Sequence, residues 1–236
     1  MDINKTLDEI RKSILNVSTP EKKSGAEDWF KEEVIFLGAR VPDVRQLGKE
    51  FYQKNKKTLK YQDWLELFDK LWRRGTFEEG QFILEIVPKL KKNFSEETVH
   101  LFEYWLENYI TNWAHCDDFS NHVMAKYIDK NPMIIINMYA WYKSNNRWKR
   151  RASVVSLIPH ARKGKYVNHT LALCNRLMLD QDVMVQKGVG WTLKELSKYD
   201  KNEVITFLQP WKDKTSRLVI RYACEKMDTE NKKKVL

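Results

Sequence analysis

Three short stretches concentrate the side chains able to do chemistry. In residues 182–199, Val185, Val189, Leu193 and Leu196 fall in one arc of about 80° at ~100° per residue, the buried face of a helix. Trp191 lies opposite that arc, and Lys187, Lys194 and Lys198 fall within about 60° of it on the wheel. An indole among three ammonium groups has two readings. It packs on a neighbouring repeat while the lysines are solvated, or it forms a surface for a polyanion. The second stretch is Arg147-Trp148-Lys149-Arg150-Arg151-Ala152. Trp148, Ala152, Val155 and Ile158 define its apolar arc, and Arg151 falls inside that arc while Lys149 and Arg150 fall outside. A guanidinium on an inner face requires an anion, either a carboxylate or a phosphate. The third is Trp113-Ala114-His115-Cys116-Asp117-Asp118. If helical, it makes Trp113 and Asp117 i,i+4 neighbours. If the helix starts there, Asp117 or Asp118 is an N-cap, which is the commoner role for a lone aspartate.

Other chemistries find no support. His115 and His122 have no third ligand at sensible spacing, so no metal is expected. No P-loop or nucleophile elbow is present. The three cysteines, Cys116, Cys174 and Cys224, are widely separated and form no ligand set. Their odd number, with no apolar signal run after Met1, leads us to expect a reducing, cytoplasmic location. No apolar stretch approaches the ~20 residues of a membrane span, so no membrane partner is expected.

These residues must be held by helices. Of 236 residues, only 8 are Gly and 6 Pro, too little punctuation for a sandwich or barrel. Helical stripes recur: Leu7, Ile10, Ile14 and Leu15; Val44, Leu47 and Phe51 after Pro42; Phe82, Ile83, Ile86, Val87 and Leu90. Ser95 reads as an N-cap before Val99, Phe102 and Leu106, and Pro132 opens a segment with Ile135, Ile136 and Tyr139. Segments starting at Phe82, Phe119, Arg151, Gln186 and Leu218 recur roughly every 30–40 residues, the period of HEAT and armadillo pairs. The expected fold is therefore all-α: HEAT-like helical-pair repeats stacked into a curved solenoid with a basic concave face. We expect a single domain over 1–236, with 231–236 as a frayed tail. Lys and Arg exceed Asp and Glu by 42 to 32, a net charge of +10, which favours a polyanion over a protein-interaction scaffold. Nine tryptophans tilt the choice towards nucleic acid.

At this point the chain resembles the AlkD family of HEAT-repeat DNA alkylpurine glycosylases. The resemblance rests on Pro20-Glu21-Lys22, on Phe36-Leu37-Gly38 with Val41-Pro42-Asp43-Val44-Arg45-Gln46-Leu47, and on Trp113…Asp117. It continues through Trp148-Lys149-Arg150-Arg151-Ala152 and Gln186-Lys187-Gly188-Val189-Gly190-Trp191. It implies removal of cationic N3- and N7-alkylated purines from duplex DNA, without a cofactor. It assigns Asp117, Trp113 and Trp191 to the catalytic site and Arg151 to a backbone phosphate. Trp29 matches a family tyrosine beside the lesion, and Lys187, Lys194 and Arg150 are expected to join the DNA-binding surface. In that chemistry a carboxylate stabilises the oxocarbenium-like sugar and directs water, while indole faces cradle the cation. The expected state is a monomer, nucleoid-associated when bound. The family also contains inactive paralogues that bind branched DNA, which gives the alternative function.

Overall fold

A computed structural model describes residues 2–235, and the regular structure among them is helical; the one β-bridge, Ile35 to Thr76, is isolated. The chain divides into two compact units, Met1–His115 and Cys116–Leu236.

In the first unit the helix Val41–Asn55 packs against Phe77–Ile86, and Ile3–Asn16 packs on Val41–Asn55 and on Tyr61–Arg73. The expected stripe of the first helix is largely present: Leu7, Ile10 and Ile14 are buried, whereas Leu15 is exposed. Pro42 sits in the first turn of Val41–Asn55, where its missing N–H is harmless. The core is aromatic. Trp64, Phe68 and Trp72 recur every four residues on Tyr61–Arg73; Trp64 meets Phe68, and Phe68 and Trp72 meet Trp105 of Glu97–Asn108, which in turn meets Phe102, through tilted and edge-on ring contacts. Ser95 is not the helix cap; its hydroxyl donates instead to the Glu97 carboxylate at 2.5 Å, two residues on at the start of the helix.

Two buried carboxylates opening Phe77–Ile86 tie this unit together. Glu78 accepts from the backbone N–H groups of Leu37, Gly38 and Ala39 at 2.9, 2.7 and 3.1 Å. Glu79 accepts from both arms of Arg11 at 3.1 and 2.9 Å and from the Thr76 hydroxyl at 2.7 Å. Buried charges persist only when satisfied in this way.

In the second unit the segments Phe119–Met124, Arg147–Val155, Val183–Leu196 and Arg217–Ala223 pack in succession, each on the next. Ile135–Trp141 and Val167–Leu177 pack on one another and on this row, and Lys201–Leu208 packs on Val183–Leu196. These are the recurring segments expected from the sequence, and their order in space is that of stacked helical pairs. Val185, Val189, Leu193 and Leu196 are fully buried, as the wheel of Val183–Leu196 predicts. The end of the chain differs from the expected tail. Asp228 caps the helix Thr229–Lys233, and Val235 is buried, so order continues to 235; Leu236 lies outside the described residues.

Candidate functional site

The site in the second unit is built around Asp117 and Arg151. Asp117 lies inside the helix Trp113–Asp118, so it is no N-cap; its backbone carbonyl accepts from the Asn121 side-chain amide at 2.9 Å. The chain then passes directly into a π-helical turn, Phe119–Met124, a wide turn frequent at functional sites. Beside it, the Cys116 thiol is fully buried and donates to the Trp148 carbonyl at 3.4 Å. Burial pushes that thiol well above its ordinary range, which makes it inert as a nucleophile.

Arg151 projects from the inner arc of Arg147–Val155, whose start is capped by Asn146. Trp148, Ala152 and Val155 are buried around it, and Arg151 is itself only 5% exposed. Its Nε donates to Asp117 Oδ1 at 2.7 Å and its Nη2 to Oδ2 at 2.8 Å, a fork-on-fork pair. Burial alone would lower the guanidinium pKa; the Asp117 carboxylate more than offsets this, and the pKa lies above its ordinary value. Of the two anions that the sequence left open for this residue, the structure supplies the carboxylate. Arg151 is engaged within the protein by Asp117 and Met184; its expected contact with a backbone phosphate rests on the resemblance.

The third donor of Arg151, Nη1, bonds the Met184 carbonyl on Val183–Leu196, and its stem lies along Gly188. A Cβ at Gly188 would stand 3.1 Å from Arg151 Cγ, so the glycine permits this approach. Met184, Gly188 and Trp191 are spaced i, i+4, i+7 and share one stripe of that helix. The ion pair and the Trp191 indole are thereby placed along the same helical face.

Trp191 is half-buried and donates its Nε1–H to Glu195 Oε1 at 3.3 Å. The Glu195 carboxyl is buried, which would raise its pKa, but Arg162 and Lys198, each at 2.6 Å, hold it below the usual carboxylate range. Two of the three lysines near Trp191 thus meet carboxylates: Lys198 meets Glu195, and Lys194 meets Glu225 at 3.0 Å. Lys187 has no such partner among the described residues. Arg150 is likewise engaged, by Asp180 at 2.7 and 3.3 Å and by the carbonyls of Ser144 and Asn145 at 2.9 and 3.0 Å. Its guanidinium secures neighbouring loops; the place of Arg150 and Lys194 on a DNA-binding surface rests on the sequence reading alone.

The first unit holds the remaining residues singled out by the sequence. Trp113 is half-buried and stacks on Phe30 with centroids 5.2 Å apart and planes at 16°; Phe30 in turn meets Phe36 and Phe77. Next to Phe30, Trp29 is 77% exposed. His115 is buried, stacked on Phe77 and bonded through Nε2 to the Phe77 carbonyl at 2.9 Å and through Nδ1 to Asn112 at 3.1 Å. Both ring nitrogens are occupied, and burial pushes its pKa down to about 4. Among the described residues no three His, Cys, Asp or Glu side chains stand together as metal ligands, and no helix is long and apolar enough to cross a membrane.

Sequence reasoning missed Glu78, Glu79, Asp180 and Glu195. The pair Glu78-Glu79, in the first turn after the N-cap Thr76, is the one local signal, since acids favour a first helical turn. The arginine partners of Asp180 and Glu195, Arg150 and Arg162, are about thirty residues away, and the sequence carries no mark of those pairings.

The chain is all-helical, and comparison with known proteins gives its family. A family model described as DNA alkylation repair enzyme matches residues 10–227, and the chain belongs to that family. Among solved structures, it is similar to a "Predicted DNA alkylation repair enzyme from Enterococcus faecalis", with a TM-score of 0.80 and 16% identity over 90% of this chain and 97% of the other. It is also similar to AlkD2 from Streptococcus mutans, with a TM-score of 0.68 and 16% identity over 96% of this chain and 100% of that one. A third likeness is to smu.31 from Streptococcus mutans UA159, with a TM-score of 0.59 and 18% identity, covering 80% of this chain and 99% of that one. At these identities the likeness is one of fold. No curated protein matches the chain.

Proposed function

We propose that the protein is a DNA N-glycosylase that removes cationic N3- or N7-alkylated purines from duplex DNA. One observation carries this reading: a carboxylate with a 17% exposed side chain is fixed on both oxygens by Arg151, along the helical face that bears Trp191. Alkylation makes the base a good leaving group, so the demand is for stabilisation of the positive charge that grows on the deoxyribose. Asp117 supplies negative potential and orients the water that attacks C1′. The Trp191 ring offers its electron-rich face to the sugar cation and excludes bulk water. Trp113 takes the second tryptophan role, and Trp29 a place beside the lesion, on the resemblance alone. The enzyme acts as a monomer in the cytoplasm, at the nucleoid when bound, and hydrolysis needs no co-reactant beyond water.

A second reading has its own support. Both Asp117 oxygens already accept from Arg151, as in a purely structural ion pair. On that reading the protein binds branched or damaged DNA without cleaving it.

One assay decides between them. Excess protein is incubated with duplex containing N7-methylguanine, and free base is counted over a single turnover. The glycosylase releases base, and Asp117→Asn slows release by about 10²–10³-fold while DNA affinity stays within about threefold. Intact DNA after exhaustive incubation, with tight binding to junctions, establishes the second reading.

A further inference from the structure

In the second unit, the cations singled out by sequence mostly meet internal anions: Arg150 with Asp180, Arg151 with Asp117, Lys194 with Glu225, Lys198 with Glu195. A surface for phosphate must be built from cations that have none. Such a set surrounds an open cleft of about 900 Å³ walled by Leu218, Ile220 and Val235. Lys212, Arg217 and Arg221 line it, all exposed, and none of their side chains has a hydrogen bond or ion pair with another described residue. Arg217 and Arg221 are i,i+4 neighbours on the helix Arg217–Ala223, so their guanidinium groups rise from the same side. Asp213 and Thr215 complete the lining, so three cations face one carboxylate.

The physical consequence is a focused positive potential. Low-dielectric apolar walls concentrate the field of like charges at a cleft mouth. Mutual repulsion among the three cations is relieved when an anion enters. Two neighbouring guanidinium forks match the paired oxygens of a phosphodiester, which a lone ammonium does not. Membership in a DNA alkylation repair family selects the source of that phosphate.

We propose that this cleft is a phosphodiester-binding site, with Lys212, Arg217 and Arg221 holding backbone phosphates of duplex DNA away from the Asp117 centre. The inference rests on the DNA-repair reading of the chain and not on glycosylase chemistry, because the site acts in binding alone.

The test is the salt dependence of duplex binding for the full chain and for the triple variant Lys212→Gln, Arg217→Gln, Arg221→Gln. Each phosphate contact contributes about 0.9 to the slope of log K against log salt. The triple variant is expected to lose about 2–3 from that slope, with affinity falling at least tenfold at low salt. Because all three side chains are exposed, its thermal melting should match the wild type. Base release at saturating DNA should stay within twofold wherever the wild type shows it. An unchanged slope and affinity overturns the proposal, as does a wild type that fails to bind duplex. Wild-type protein that sediments with phosphatidylserine vesicles but does not bind duplex assigns the cleft to a membrane surface and also overturns it. A wild type that releases no base, yet shows the slope loss in the variant, leaves the cleft standing and removes the glycosylase reading.

Discussion

Arg151 and Asp117 form a two-bond pair, Nε to Oδ1 at 2.7 Å and Nη2 to Oδ2 at 2.8 Å, although thirty-four residues separate them. The pair joins the chain around the π-helical turn to the helix Arg147–Val155, and through the Met184 carbonyl to Val183–Leu196. It is therefore a structural anchor whatever its chemistry, and the two roles separate by experiment.

Removing one partner leaves the other buried and uncompensated. Asp117→Ala is expected to destabilise the fold by ~3–5 kcal/mol, because among the described residues Arg151 pairs with no other carboxylate. Replacing both, as Asp117→Leu with Arg151→Met, should recover most of that loss, since an apolar pair of similar volume avoids burying charge. Urea unfolding of the two single variants and the double variant measures the coupling; single variants within 1 kcal/mol of wild type on the ~1 kcal/mol scale of ordinary substitutions would show the pair to be energetically idle.

The contact between Val183–Leu196 and Arg217–Ala223 depends on Gly190. A Cβ there would stand 2.5 Å from Tyr222 Cβ and 2.9 Å from the Val219 carbonyl oxygen, which is backbone and cannot swing aside. Alanine gains up to ~1 kcal/mol of helix propensity, but overpacking against a neighbouring helix costs ~1–3 kcal/mol. Gly190→Ala is expected to be net destabilising and to lower the melting temperature by several degrees; a rise in melting temperature would be the contrary outcome.

His115 makes stability pH-dependent. Its folded pKa of about 4 lies below the ordinary 6.5, so the unfolded chain binds the proton more readily between those values. The contribution of the neutral ring is therefore complete above pH ~6.5 and is lost as pH falls towards 4, on the order of 3 kcal/mol in all. His115→Gln keeps a hydrogen-bonding side chain without a titrating ring, and its unfolding free energy should lack that part of the acid slope. A His115 ring resonance titrating near 6.5 in the folded protein would contradict the assignment.

Much of the architecture was legible because helical periodicity is local. The arc of Val185, Val189, Leu193 and Leu196 is buried as its spacing requires, and Trp191 stands off that face. Arg151 falls on the inner side of its helix, again as spacing alone requires. Misreadings came where a residue's role depended on something outside its own turn. Asp117 follows the pattern of a cap, but the helix starts earlier, at Trp113. Leu15 fits the apolar stripe of the first helix, yet it is 49% exposed.

By itself, then, the sequence determined the all-helical repeat chain, its buried stripes, its positive charge and the inward placement of Arg151, because each follows from composition or a 3.6-residue period. Only the tertiary structure decided which anion meets which cation: Asp117 for Arg151, Asp180 for Arg150, Glu225 for Lys194, and none within the described residues for Lys212, Arg217 and Arg221. Ion pairing requires contact at about 3 Å between side chains distant in sequence, and only packing brings those together.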